Sequence, residues 1–481
     1  MIILGTNSIK DTGYDVANSL RFNQNDDCLI KTFGSGGNKK KFTFSLWIKL
    51  SGRGTGNNNG LLVAGTSGND EGTIRLSNDI IDWVEYDSGT SAVIGRLTTN
   101  QVFRDYSAWS HLVFVWDSAN ATAGNRMRIY HNGSEITSFS DDTNPSVNYD
   151  AQINNNVTHN IGRQSWNNSG DYNGYMSEVV FIDGQALAPT DFGEFDENSG
   201  IWKPIDVSGL TFGNNGFYLD FKNSGALGAD VSGESNNFTV NNLTSIDQST
   251  DTCTNNFATW NPVLAMNSTM VIADGNLTGT TASNYASGAS NSWFSTVGVS
   301  SGKWYAEFKE SAGTNNQGQI LGVGYDLSKH QQGATASAYN LGGISEGWGY
   351  LGAEGTVKNN NSAVLTSLST WTVGDIVCIA LDMDNHKLYF RKNGGSWENS
   401  GNPESGSTGT GAISLTTGET YFFACSDASL SNTYTFQANF GSPPFAITSG
   451  NTDGNDRGNF EYAPPSGYLS LCTANLSEVL G

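Results

Sequence analysis

The chain has 481 residues, 24 basic and 46 acidic, for a net charge of −22. The deficit is even, −11 in residues 1–240 (16 basic, 27 acidic) and −11 in 241–481 (8 and 19), so no basic face is present to displace phosphate counterions and nucleic-acid binding is excluded. The hydrophobic fraction is 37%, but 58 glycines lift apolar plus glycine to about 49%, the composition of a folded chain of two to four domains.

Phe42–Leu50 alternates apolar and polar residues, the period-2 pattern of a strand with two distinct faces. Trp109–Asp117 is nearly continuous apolar sequence, as expected of a strand covered on both sides. Arg126–Tyr130 alternates and runs into His131, Asn132 and Gly133, a hairpin-turn sequence, before strand signals at Asn160–Arg163 and Tyr175–Asp183. Helical periodicity is nearly absent; Ala188–Glu194, with its Pro189 and Thr190, predicts a single turn. Gly216–Phe221 reads as a returning strand, and the Asn- and Ser-rich residues 223–265 read as a linker. Strands resume at Gly302–Phe308 and Ile320–Gly324. The best-marked hairpin is Trp371–Gly394, with Asp384, Asn385 and His386 at its turn and Asn393-Gly394 suited to φ > 0. Phe436–Gly441 is a further strand, and Pro464–Asn475 reads as an ordered closing segment. The prediction is an all-β fold of two antiparallel β-sandwich (jelly-roll) domains in tandem. The first spans 1–222, the linker 223–265, the second 266–446 and the closing segment 447–481.

Taken in order, Phe42–Leu50, Trp109–Asp117, Arg126–Gly133, Asn160–Arg163 and Asn173–Leu187 resemble the successive strands of a LamG-like, concanavalin A-like jelly roll. Gly302–Phe308, Ile320–Gly324, the 371–394 hairpin and Phe436–Gly441 with Pro443–Phe445 resemble a SPRY domain. This pairing, with the phrases FIDGQAL (181–187) and GFYLDF (216–221), is similar to structural proteins of tailed bacteriophages, especially those of marine bacteria. The resemblance implies a virion protein, exposed on tail or capsid, of tail-fibre or receptor-binding type. Its partners would be a host cell-surface glycan or protein and other virion proteins. Many copies, in a homo-oligomer, would make weak contacts useful. The alternatives are a capsid head-decoration or cement protein and a glycan-degrading enzyme of concanavalin A-like fold. Met1–Gly5 lacks a charged segment followed by an apolar one, so no signal peptide is expected, and no apolar run approaches the roughly 20 residues of a membrane span. The first sandwich starts soon after Met1, so no long shaft is expected before it.

Retaining β-glucanases of this fold carry E-x-D-x-x-E on one strand, where period 2 puts the first two carboxylates on one face. The nearest match is Glu194-Phe195-Asp196-Glu197, with Ser199 in place of the second catalytic Glu, so a non-enzyme is expected. Five dispersed cysteines and five dispersed histidines show no metal spacing, and His111 lies within an apolar strand, as a packed histidine would. Sugar sites pair aromatic faces with Asn and Asp, and the loop 164–174 has that composition: Trp166, Asn167, Asn168, Asp171 and Tyr172 are the candidate ligand-binding residues. No cofactor is required, but oxygen-rich turns at Asp141 and Asp142, or at Asn69, Asp70 and Glu71, are the candidates for Ca²⁺. Tyr339, Trp348, Tyr350 and Trp397 of the second half read as core before contact residues.

Overall fold

The computed structural model describes residues 13–480 except 53–57, 69, 88–89, 91, 165–168, 265–270, 282–291, 314–317, 331–339 and 430–431. The chain divides into two compact units between Asn256 and Phe257. Each is a β-sandwich of antiparallel sheets, as the alternating patterns require.

In the first unit one sheet has the strand order Ser134–Glu135, Met127–His131, Ser110–Asp117, Lys41–Leu50, Asn173–Asp183, Ser19–Asn23, Gln248–Ser249, with Phe217–Leu219 beside Asn173–Asp183. The facing sheet runs Phe139–Thr143, Val93–Val102, Ile80–Tyr86, Asp70–Ser77, Asn58–Ser67, Thr158–Ile161, Cys28–Thr32, Thr239–Asn241. Phe42, Phe44, Leu46, Ile48 and Leu50 enter the core between them and meet Ile74, Leu76, Trp83 and Leu97. The continuous apolar run of Ser110–Asp117 is explained by two coverings. Leu112, Phe114 and Trp116 face the core, while Val113 and Val115 pack under Phe192, Val207 and Phe212 of the following segment. His111 is a packed histidine. Trp202 Nε1, which can only donate, lies 3.0 Å from its Nδ1, so Nε2 carries the proton toward Ser45 Oγ at 2.8 Å. Burial lowers its pKa to about 3.

Residues 223–256, expected to be linker, are part of this sandwich. They supply the strands Thr239–Asn241 and Gln248–Ser249. Asn236 donates to Gly216 O and Asn214 O, and Asn242 to Asn25 O and Asp27. Asp251 is fully buried against Lys49, Nζ to Oδ2 2.6 Å. Amide side chains here do what apolar periodicity does elsewhere, so composition alone reads as a loop.

In the second unit one sheet runs Val271–Ala273, Thr278–Thr280, Thr435–Asn439, Lys303–Ala312, Ile376–Asp382, Lys387–Lys392, Ile413–Ser414, with Leu469–Ser470 parallel to Lys303–Ala312. The other runs Ser292–Phe294, Phe422–Asp427, Gln319–Gly324, Gly347–Leu351, Thr356–Asn359, Ser362–Leu365. The predicted hairpin forms with Asp382 opposite Lys387, and His386, Asn393 and Gly394 take φ of 54°, 48° and 66°. The turn after Ala188 is the 3₁₀ helix Pro189–Asp191. The α-helix Thr473–Leu480 was not predicted; at eight residues it is too short to print a period.

The closing segment is fastened to the sheet by one buried carboxylate. Glu307 Oε1 accepts from Tyr305 Oη and Tyr462 N, and Oε2 from Asn439 Nδ2 and Glu461 N. Burial outweighs these four donors and raises its pKa to about 7 from an ordinary 4.5. The unfolded chain therefore releases this proton at lower pH than the folded one. The stability it contributes is complete below about pH 4.5 and is lost as pH rises toward 7. Urea midpoints of the wild type relative to Glu307→Gln are expected to fall across that interval; a rising difference contradicts this.

Candidate functional site

Of the expected sugar-binding residues, Trp166, Asn167 and Asn168 lie outside the described residues. Tyr172 does not offer a stacking face. It is fully buried, packs edge-on against Phe22 with centroids 5.7 Å apart, and its hydroxyl donates to Tyr175 O and Lys49 O at 3.0 and 3.3 Å. It is a pillar of the core. Asp171 is also buried, and its charge is among the causes, after burial itself, that raise Asp27 to a pKa of about 6.

The calcium candidates are not brought together among the described residues. Asp141 and Asp142 are successive residues of the strand Phe139–Thr143, so their carboxylates point to opposite faces. Each is taken by a neighbour, Asp141 by Thr143 Oγ1 (2.8 Å) and Asp142 by Asn144 Nδ2 (2.9 Å). The Asp141 charge acts on the Arg96 guanidinium, which disfavours a further cation. Asp70 binds Thr66 Oγ1 and Gln152 Nε2, and Asn69 lies outside the described residues. Among the described residues no cluster of three or more His, Cys, Asp or Glu side chains has metal-binding geometry.

The carboxylates of the segment nearest the glucanase pattern, which was not expected to be catalytic, have local partners. Lys203 Nζ lies 3.2 Å from Glu194 and 3.9 Å from Asp196, and Asp196 Oδ1 accepts from Ser199 N and Oγ.

A polar constellation that the sequence reading missed lies on the side of the facing sheet turned away from the core. Arg75, Asp82 and Thr98 are cross-strand neighbours, and Arg96 lies on the strand of Thr98. Asp82 Oδ2 accepts from Arg75 Nε (3.1 Å) and Nη2 (2.8 Å), and Oδ1 from Arg96 Nε (2.8 Å) and Thr98 Oγ1 (3.1 Å). Burial would raise Asp82, but the two guanidiniums outweigh it and hold the carboxyl below its ordinary range. Asp82 is thus a permanent anion that aims two arginines, whose side chains remain 18% and 31% exposed. The guanidinium N–H groups not committed to Asp82 belong to partly exposed side chains and are donors suited to hydroxyl or carboxylate oxygens. The available signal was a charge set between apolar or glycine neighbours in each strand (Ile74-Arg75-Leu76, Ile81-Asp82-Trp83, Gly95-Arg96-Leu97); their convergence depends on register.

In the second unit Tyr350 and Trp348 are core residues, while Trp397 is half-buried with the Arg391 guanidinium 4.6 Å above its ring. Tyr339 lies outside the described residues. A groove of about 500 Å³ is lined by Val263, Leu264, Leu327 and Phe422, with Asp326 and Glu419 its charged lining residues.

Residues 22–191 match the laminin G-like branch of the concanavalin A-like lectin/glucanases superfamily, and residues 303–408 match the SPRY domain. Similar solved structures include the SPRY domain of human HERC1 (20% identity, TM-score 0.27, 37% of this chain and 96% of that one). A heptameric SAP-like pentraxin from Limulus polyphemus is similar at 17% identity and TM-score 0.27 over 36% of this chain and 80% of that one. A protein from Bacteroides ovatus, provisionally described as carbohydrate-binding, is similar at 16% identity and TM-score 0.32 over 48% of this chain and 60% of that one. No curated protein matches the chain. The two domain matches carry the assignment: the chain holds a LamG/concanavalin A-like domain followed by a SPRY domain.

Proposed function

We propose that the protein is a recognition module that binds a cell-surface glycan through its first sandwich, acting by binding and not by hydrolysis. The observation that carries this is the Arg75–Asp82–Arg96 cluster within a domain of the lectin/glucanase superfamily. It presents donors, and its central carboxylate is held ionised between two arginines, which suits binding and not the proton donation that a general acid must supply. The resemblance to tailed-phage structural proteins extends the proposal. The protein sits on a virion surface in several copies, joined to other virion proteins, and serves host adhesion as a tail-fibre or receptor-binding protein. The groove of the second unit supplies a surface for a protein partner.

The test is binding of the full chain to a panel of bacterial surface glycans. Arg96→Ala is expected to weaken binding about 10–100-fold, the cost of losing a charge-assisted hydrogen bond, with Asp82 still paired to Arg75 and the melting curve monitored. Absence of glycan binding by the wild type, or unchanged affinity in the variant, overturns the assignment. Release of reducing ends from a bound polysaccharide overturns the non-hydrolytic reading.

A further inference from the structure

At one end of the first sandwich a pocket of about 120 Å³ opens where Val93–Val102 of one sheet approaches the ends of Lys41–Leu50, Ser110–Asp117 and Met127–His131 of the other. Its floor is apolar, built by Ile48, Leu50 and Phe103, all nearly or fully buried. Sites that engulf whole drug-sized ligands measure about 300–1,000 Å³, so this one admits a single substituent while the remainder of the ligand stays outside.

The polar rim has a defined direction. Gln101 Nε2 lies 2.9 Å from His131 Nδ1, and an amide nitrogen can only donate, so Nδ1 accepts and Nε2 carries the ring proton. That proton points at Ser110 Oγ, 3.3 Å away. The Ser110 hydroxyl therefore keeps its own proton for an acceptor in the pocket, in a relay whose members polarise one another. Burial holds the His131 pKa below its ordinary value, which preserves this neutral arrangement at pH 7. Beside it, Asp105 Oδ1 accepts from Ser107 N (2.9 Å) and Oγ (2.6 Å), leaving its second oxygen for an N–H from outside.

Arg104 also lines the pocket, its Nε donating to Asp79 Oδ2 at 2.8 Å; the apolar floor, the Ser110 hydroxyl donor and the Asp105 carboxylate acceptor complement an acetamido group. The methyl lies on Ile48, Leu50 and Phe103, the carbonyl accepts from Ser110, and the N–H donates to Asp105. We propose that this pocket seats the N-acetyl group of an amino sugar, so that the glycan bound by the first sandwich contains N-acetylhexosamine. This rests on the glycan-binding reading above and names its ligand class.

The experiment is saturation-transfer NMR on the full chain with N-acetylglucosamine and glucose as probes, alongside the glycan panel. The acetyl methyl is expected to be the most strongly saturated ligand signal. Ala108→Leu, which fills the pocket from its half-buried wall, is expected to weaken acetamido-glycan binding at least about tenfold, and Ser110→Ala several-fold. Both variants should leave the melting temperature unchanged. If the panel shows binding with no preference for acetamido sugars and Ala108→Leu is indistinguishable from wild type, the pocket assignment falls and the glycan reading stands. If no glycan binds, both fall.

Discussion

Asp251→Ala is expected to destabilise the first sandwich by about 3–5 kcal/mol, the cost of leaving one partner of a buried ion pair uncompensated. The Lys49 and Asp251 side chains are 1% and 0% exposed, and Nζ also meets Asn256 Oδ1 at 2.6 Å. Trp109 Nε1 donates to the other Asp251 oxygen at 2.9 Å, and Ser19 Oγ to its backbone carbonyl. Removing the carboxylate leaves an ammonium with no water to solvate it. The double variant Lys49→Met/Asp251→Leu is expected to recover most of the loss, because a well-packed apolar pair costs far less than a stranded charge. Guanidinium unfolding followed by tryptophan fluorescence reads both. A loss below about 1 kcal/mol in the single variant shows that this pair does not hold residues 223–256 in the sandwich.

Phe308→Ala is the second large effect, about 3–5 kcal/mol in the second sandwich. Phe308 is fully buried, with ring centroids 5.6 Å from Trp260, 5.7 Å from Phe440 and 6.0 Å from Phe423, the last on the facing sheet. The substitution leaves a cavity bordered by three rings that rigid sheets cannot close. Phe308→Leu keeps most of the volume and is expected to cost less than half as much. Equal losses for the two indicate that the cavity is not the cause.

Much of the fold was legible because sandwiches print their geometry locally. Phe42–Leu50 alternates since each successive side chain meets a different face. Trp371–Gly394 is readable because its turn residues must tolerate φ > 0. The site was less legible, for two physical reasons. Loop composition does not state direction: Tyr172 looks like a sugar platform among Asn and Asp residues, yet its ring points into the core. Register is invisible in one dimension. Asp141 and Asp142 look paired but diverge along a strand, while Arg75, Asp82 and Arg96, separated by 7 and 14 residues in their hydrogen bonds, converge because three strands align them. Residues 223–256 were misread because Asn and Asp side chains tie them to backbone groups far away in sequence, a kind of order that carries no period.

The proposed binding of glycan by the first sandwich runs across the strands that carry Arg75, Asp82 and Arg96. Hydrogen–deuterium exchange of the full chain with and without a bound glycan tests it most directly. Slowed exchange is expected in Asp70–Ser77, Ile80–Tyr86 and Val93–Val102 and at the pocket beside Ser110, with residues after Phe257 unchanged. Protection confined to residues after Phe257, with these strands unaffected, contradicts it.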